Sequence, residues 1–530
     1  MTTPSKNLKD LKSLKVVLTR GPLVSTETAF NNEATPSIGL AYLAGYLDKH
    51  GIEAELVDGI GLRLNRTWPN KKYPGYICQG LNFEEIAERI SADVDVIAIS
   101  IMFSGEWPVQ RDLIKFLKNR FPQAFFVAGG EHITALNEYV LSDCPEIDCC
   151  VLGEGERTFL NVLEAHVNGE PLSGVGGIAF NNSNGKYVLS EAQPRIRDLD
   201  SIPWPKWYDG HLEKFWEAGK SFGVQVGRDM PINVSRGCPY QCTFCSNPTM
   251  WTTRYILRDV ENVIDEIKYY IDRFDIDSLQ FYDLTAIAKK RWAIEFSRRL
   301  KEEGIQLKWS LPSGTRSEVL DHEVLSAIRS VGCSYLVYAP ESGSQRTLER
   351  IKKRISLDSL TNSVVTAHKL GIITRGNLII GFPGETRREM FATIFYGFKL
   401  SFFGVDEVPL NIFSAYPGSE LFRDLQAEGK INLSDNYFLG LTSLNSDFGM
   451  LNPMTMNESV GPRELAIYRL SAMLMNYAIS YITRPVRIWR TIRNVFGSSS
   501  GAATVFEHRL KDSRRRKLEE SNSPSMEAGE

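Results

Sequence analysis

What this chain has little of narrows it first. Eight cysteines spread over 530 residues are too few for a disulfide scaffold. No uninterrupted apolar run approaches the roughly 18 to 20 residues needed to cross a bilayer, and the opening MTTPSKNLKDLKSLK carries positive charge without the apolar stretch of a signal peptide. Cytoplasm is therefore the expected compartment. A formal charge of -3 lacks the broad basic excess with which proteins meet a phosphate backbone, so nucleic acid is not an expected partner. The first expected strand, LKVVLTR, runs into GPLVSTETAF instead of a short glycine fingerprint, which excludes a conventional dinucleotide loop. What remains is a globular composition, 43% apolar and 24% charged, in a chain long enough for two or three domains.

Three of the cysteines stand close together. INVSRGCPYQCTFCSNP places Cys238, Cys242 and Cys245 in one loop after a short apolar run. A closed zinc site needs a fourth ligand, usually from a second Cys or Cys-His pair. None follows within about 30 residues, and the next cysteine is Cys333. Three thiolates on a four-iron cubane leave one iron open to a chelating ligand, and soft thiolate ligation suits iron-sulfur chemistry. Cys78, Cys144, Cys149 and Cys150 read as small buried hydrophobes.

Strand and helix signals alternate in both halves of the chain. LKVVLTR, AELVDG, VDVIAISIMF, AFFVAGGEH and IDCCVLGEGE predict five strands of a doubly wound parallel sheet, with PSIGLAYLAGYLDKHG as its first helix. NNSNGKYVL predicts a hairpin turned by Asn-Gly. From residue 231 six strand-helix repeats predict an open β/α barrel, whose function should gather at the carboxyl ends of the strands. The expected domains are residues 10–195, a proline-rich linker over 196–230, the barrel over 231–430, a helical cap over 431–496 and a mobile polar tail over 497–530.

The cysteine spacing resembles the signature of radical S-adenosylmethionine (SAM) enzymes, with Phe244 at their usual aromatic position before the last cysteine. TPSIGLAYLAGYL, VAGGEHITAL and VLGEGERTF resemble, in order and spacing, the cobalamin-binding domain that precedes the radical SAM domain in the group containing the anaerobic magnesium-protoporphyrin cyclase. The resemblance implies an α/β protein with a doubly wound cobalamin-binding domain, a six-repeat radical SAM barrel and a small helical C-terminal region. It implies a 4Fe-4S cluster on Cys238, Cys242 and Cys245, SAM on the open iron, and cobalamin over the first sheet's strand ends. Thr35, Pro36, Gly39, Ser100, Ser104, Gly129, Gly130, Glu131, Gly153 and Glu154 are then the corrinoid neighbourhood. Glu341, Ser313, Arg316 and Arg375 are candidates for SAM's polar groups, and Phe244 and Ile380 for flanking its adenine. Asp283 would organise polar cofactor groups, while Tyr416, with Tyr338, would close a shared cavity. The Asp-x-His-x-x-Gly loop of other corrinoid proteins is missing, and His132 reads as a polar turn residue. Cobalamin is therefore expected without its own base and without a histidine ligand.

Such a pair of cofactor domains points to a methyltransferase acting on an unactivated carbon of a small or lipophilic substrate, driven by a reductant such as flavodoxin or ferredoxin. An oxidative cyclase or rearrangement enzyme is the alternative within the family, and a non-catalytic corrinoid-binding protein the alternative outside it. In the helix VRIWRTIRNVF, arginines alternate with apolar residues. That pattern suits peripheral contact with a membrane, binding of a hydrophobic anionic substrate or, equally, an ordinary docked helix with a charged solvent face.

Overall fold

A computed structural model of the chain describes residues 10–29, 34–442, 447, 450–497 and 502–522, with side chains to residue 515. Strands β1 (Val16–Arg20), β2 (Ala54–Asp58), β3 (Val96–Ser100), β4 (Phe125–Gly129) and β5 (Cys149–Val151) form a parallel sheet in the order β2-β1-β3-β4-β5. The expected hairpin extends it as two antiparallel strands, β6 (Ile178–Asn181) and β7 (Tyr187–Leu189). Side chains alternate across each strand, so Val16 and Leu18 enter one core while Val17 enters the other. The first core packs under helices α1 (Ile38–Lys49) and α4 (Gly155–Asn168), the second under α2 (Trp107–Arg120) and α3 (Glu131–Asp143). A sheet buried on both faces selects the Val/Ile runs seen in β1 and β3. Strand order reverses between β1 and β3, and ligands of such sheets lie in the crevice outside that switch point. Three short strands, Leu23–Thr26, Thr67–Pro69 and Tyr76–Gln79, make an antiparallel flap that the sequence reading did not anticipate.

The second sheet is parallel throughout: β8 (Asp229–Ile232), β9 (Ser278–Phe281), β10 (Lys308–Thr315), β11 (Cys333–Glu341), β12 (Ile373–Ile380) and β13 (Leu410–Ile412), neighbours in that order. Helices α5 (Val260–Phe274), α6 (Lys290–Glu302), α7 (His322–Ser330), α8 (Leu357–Lys369) and α9 (Arg387–Phe403) cover its outside. Side-chain oxygens of Asp259 and Asp321 cap α5 and α7 by accepting from Glu261 N (2.8 Å) and Val324 N (3.0 Å). The six strands do not close, and β8 and β13 stand at the edges.

The C-terminal region departs from expectation twice. Residues expected to be a mobile tail form helix α12 (Val505–Asn522), which docks beside the barrel's opening. Glu407, just ahead of β13, accepts from the amides of Val505 (3.0 Å) and Phe506 (2.5 Å) at its first turn. At the other edge Lys220 meets Asp512 at 2.8 Å, both side chains only 3% exposed, and Arg515 donates to the Ala218 carbonyl. The preceding segment also fills the lumen, where Gln280 on β9 donates to the Val224 carbonyl at 2.8 Å. The tail lacked an apolar period because charges and a cap, more than an apolar stripe, hold this helix.

Helix α10 (Pro462–Thr483) lies along α9, and α11 (Val486–Phe496) follows it. Here the basic face turns inward. Arg487 donates to the carbonyls of Val405 (3.0 Å) and Gly404 (2.6 Å), and with Arg490 it meets Asp406. Val486 and Trp489 instead stand 80% and 74% exposed, the reverse of a charged solvent face. Among the described residues no helix is long and apolar enough to cross a membrane.

Candidate cofactor and substrate site

The cysteine loop begins where β8 ends, and Asp283 fixes its first turn. The buried Asp283 carboxylate, just past β9, accepts from Val234 N (3.0 Å), Ser235 N (2.5 Å) and Ser235 Oγ (2.6 Å). Burial pushes its pKa up to about 6. Its oxygens are thus engaged by the loop's own backbone, a positioning role in place of the expected cofactor contact. Gly237, at a φ of 84°, follows; a Cβ there would lie 2.3 Å from the Arg254 carbonyl, so only glycine leads directly into Cys238.

Cys238, Cys242 and Cys245 are partly exposed and unpaired, whereas Cys78, Cys144, Cys149, Cys150 and Cys333 are buried. Thr285 Oγ1 donates to Cys238 Sγ at 3.7 Å, and Cys245 N donates to the Cys242 carbonyl at 3.1 Å. Burial, reinforced by the neighbouring thiols, pushes Cys245 up to about 12, so metal binding must displace its proton. Three accessible free thiols on one loop fit the three protein-held irons of a cubane. Among the described residues no three His, Cys, Asp or Glu side chains converge as round a single ion; ligands to separate corner irons stand farther apart than ligands to one ion.

At the end of β11 the buried Glu341 takes a φ of 64°, rare for a residue with a side chain, and pairs with Lys353 at 3.0 Å. That pair lies close enough to Cys242 to act on its charge. Arg316 stacks its guanidinium 3.5 Å from the centre of the Tyr240 ring, inside the cysteine loop, and donates to the Arg354 carbonyl at 2.6 Å. Phe244 packs its ring 5.7 Å from Phe382.

Two expectations fail by one face of a strand. Residues of β12 alternate between half-buried Ile373, Arg375, Asn377 and Ile379 on the lumen side and buried Thr374, Gly376, Leu378 and Ile380 on the helix side. Ile380 belongs to the outer core with Leu378, Met390 and Leu465, while Ile379 packs in the cluster of Phe244. Tyr338 likewise turns outward to Ser363 on α8 (3.0 Å), and Tyr335 takes the lumen position. Glu385 of GFPGE folds back onto Gly381 N (2.7 Å) and Phe382 N (3.1 Å), closing its own turn.

The turns after β3, β4 and β5 form the opposite wall. Gly130 has a φ of 110°, and a Cβ there would lie 2.4 Å from the Ile101 carbonyl. Gly129 and Gly153 keep any added Cβ 3.7 Å or more from its neighbours, and none is within 4 Å at the exposed Gly39, so these backbones can meet a large ligand. Thr35 and Pro36 lead into α1, and Ser100 ends β3. His132 is a buried helix residue, not a turn: its Nδ1 lies 2.9 Å from Ser104 Oγ and its ring packs between Trp107 and Phe438. Glu131 accepts from Ser246 Oγ beyond the last cysteine. Glu154 accepts from Arg195 Nε (2.9 Å), Ile196 N (2.9 Å) and Arg236 Nη1 (3.1 Å), and Glu156 takes the other end of Arg236. Glu154 therefore latches the two units together.

One cavity of about 800 Å³ lies between the turn after β3 and the barrel lumen; the three cysteines, Arg316, Glu341 and the turns after β4 and β5 are not among its lining residues. Phe103, Gly105 and Glu106 line it from the first sheet; Ser313, Arg375, Asn411 and Tyr416 line it from the barrel; Phe506 and Arg509 of α12 line its far end. Sequence reasoning missed Glu106, whose carboxyl is pushed up to about 8 by burial. Two residues from Ser104 in a polar turn, it carries no local sign that tertiary packing will desolvate it.

This arrangement defines a class, and comparison with known proteins places the chain in it. The radical SAM superfamily model matches residues 232–396, and the B12-binding domain model residues 32–163. The chain belongs to the cobalamin-dependent radical SAM enzymes. An uncharacterised methyltransferase of Pyrococcus horikoshii is 32% identical, covering 78% of this chain and 83% of its own. Cytidylyl-2-hydroxyethylphosphonate methyltransferase of Streptomyces wedmorensis is 30% identical over 76% of this chain and 80% of its own. The anaerobic magnesium-protoporphyrin IX monomethyl ester cyclase of Rubrivivax gelatinosus is 27% identical, over 74% and 66%. The fold is shared with the radical SAM methyltransferase TsrM of Kitasatospora setae, solved with cobalamin and a [4Fe-4S] cluster, at a TM-score of 0.66, 15% identity and coverage of 96% and 100%. The chain is thus an enzyme that uses a 4Fe-4S cluster, SAM and cobalamin and that needs an external reductant and a small-molecule substrate.

Proposed function

We propose that this enzyme transfers a methyl group to an unactivated carbon of an apolar or mixed-polarity small molecule held in the shared cavity. The observation that carries this reading is the cavity itself, which has one wall from the turn after β3 in the first unit and the other from the barrel lumen. When bound, the cluster and SAM supply a 5'-deoxyadenosyl radical, and cobalamin carries the methyl group.

The chain's own residues arrange the rest. Cys238, Cys242 and Cys245 hold the cluster and leave one iron to SAM. Glu341, fixed by Lys353, stands beside Cys242 to meet SAM's polar end, and Ser313 and Arg375 offer further polar contacts from the lumen wall. Tyr416 stands at the wall where substrate is expected. The apolar lining, including Phe103, Leu470 and Phe506, shelters a carbon radical from solvent. Per turnover one SAM ends as S-adenosylhomocysteine and another as methionine and 5'-deoxyadenosine. Two electrons come from the reductant, of flavodoxin or ferredoxin type, and the substrate C–H becomes C–CH3, its hydrogen leaving in 5'-deoxyadenosine.

Anaerobic reconstitution with cobalamin, followed by incubation of extracts with methyl-deuterated SAM and mass spectrometry, tests the reading. The expected outcome is 5'-deoxyadenosine, S-adenosylhomocysteine and a product carrying the labelled methyl, all lost in Cys245→Ser. Turnover that yields 5'-deoxyadenosine and a product without label would replace methyl transfer by cyclisation or rearrangement.

A further inference from the structure

Helices α9, α10 and α11 share an outer surface that is apolar where the solvent side of a helix is ordinarily polar. Helices α9 and α10 run side by side in the same direction, since Arg387 pairs with Glu464 at their starts and Arg484 donates to the Phe402 carbonyl near their ends. Phe391, Phe395 and Phe402 project from α9, Ile467, Leu474, Met475 and Ile482 from α10, and Val486, Trp489, Ile492 and Phe496 from α11. Exposed apolar patches on this scale mark interaction surfaces.

The charge on the same three helices is one-sided. Arg388, Lys399, Arg463 and Arg493 are exposed there, whereas Glu389 is buried and Glu464 is tied to Arg387; α11 carries no acidic residue. The inward turn of Arg487 and Arg490 is what leaves Trp489 facing outward. Cations set round an apolar surface with an interfacial tryptophan complement an anionic bilayer, whose headgroups meet the cations while the side chains sink to the acyl boundary. The patch also reaches the cavity: Leu474, 72% exposed, is one of the residues that line it.

We propose that the outer faces of α9, α10 and α11 seat the enzyme on an anionic lipid surface, with the open side of the cavity next to the bilayer so that a lipophilic substrate reaches it from the membrane. The proposal deepens the reading of the cavity but stands on a separate surface, and its test needs neither substrate nor turnover.

Flotation of the cobalamin-loaded full-length chain with phosphatidylcholine vesicles, with and without phosphatidylglycerol, provides that test. Wild type should float with the phosphatidylglycerol vesicles, less so at high salt. Ile482→Glu combined with Trp489→Glu should cut partitioning by about tenfold or more while cobalamin loading is unchanged. Arg493→Ser should weaken binding to anionic vesicles only. Absence of wild-type flotation, or flotation of the double variant equal to wild type, would overturn the proposal. So would a wild-type dimer in light scattering that the double variant dissolves, because a second copy would then be the occupant.

Discussion

Glu106 sits where two requirements conflict, in a cavity wall dry enough to hold a carboxyl near neutrality yet on a turn that reads as solvent-facing. Its charged form is disfavoured on folding, so the folded chain keeps a proton that the unfolded chain gives up. Stability therefore falls as pH rises from about 4.5, the ordinary value, to about 8, and is level above that. Glu106→Gln keeps the shape without the titration. Relative to wild type it should gain on the order of 2 kcal/mol between pH 5 and pH 9, measured by urea unfolding at both. A constant difference across that range would show the carboxyl to be solvated. The three cysteines were legible in the sequence because their chemistry depends on local spacing. Glu106 was not, because desolvation is set by segments far away in the chain. Ile380 and Ile379 show a third case: a period of two reveals two faces of β12 but does not say which one the lumen takes.

The strands of the two parallel sheets were legible as elements because they carry short apolar runs bounded by turns, and the parallel order followed from their alternation with helices. Elements held by charge were not. Helix α11 showed two faces, but pattern alone assigned the basic one to solvent, whereas Asp406 and the carbonyls at the end of α9 draw it in. Helix α12 shows how much such contacts weigh, since Lys220 and Asp512 are both buried and each compensates the other. Lys220→Met would leave the buried Asp512 with only the partly exposed Arg515, at 2.7 Å, for a cation, at a cost of about 3 kcal/mol. Lys220→Met with Asp512→Leu should recover most of that loss, as apolar pairs replace buried ion pairs at little cost. Urea unfolding of the two single variants and the double variant measures the coupling. Equal destabilisation by the double variant and Lys220→Met would mean that α12 does not close the barrel through this pair.

Cooperation between two cofactor-binding units requires that they hold a fixed distance, and a few contacts carry that constraint. Arg236, two residues ahead of the first cysteine, reaches from the barrel to Glu154 and Glu156 at the end of β5, while its guanidinium lies over the rings of Tyr42 and Trp251. Arg195 binds the same Glu154 from the connecting segment. All three members of the Arg236 cluster are more than nine-tenths buried, so removing the cation strands Glu156 and leaves Glu154 to Arg195 alone at the joint, without touching either core. In wild type the units should unfold together, because separating them first would expose those charges' apolar surroundings as well as the shared cavity. Arg236→Met should lower the cost of separation by several kcal/mol and leave the two hydrophobic cores as they are. Calorimetry should then resolve two transitions in the variant where wild type gives one, with cobalamin raising only the transition of the first unit. A single transition in both proteins, with cobalamin raising the whole of it, would locate the coupling elsewhere, in the apolar contacts around the cavity.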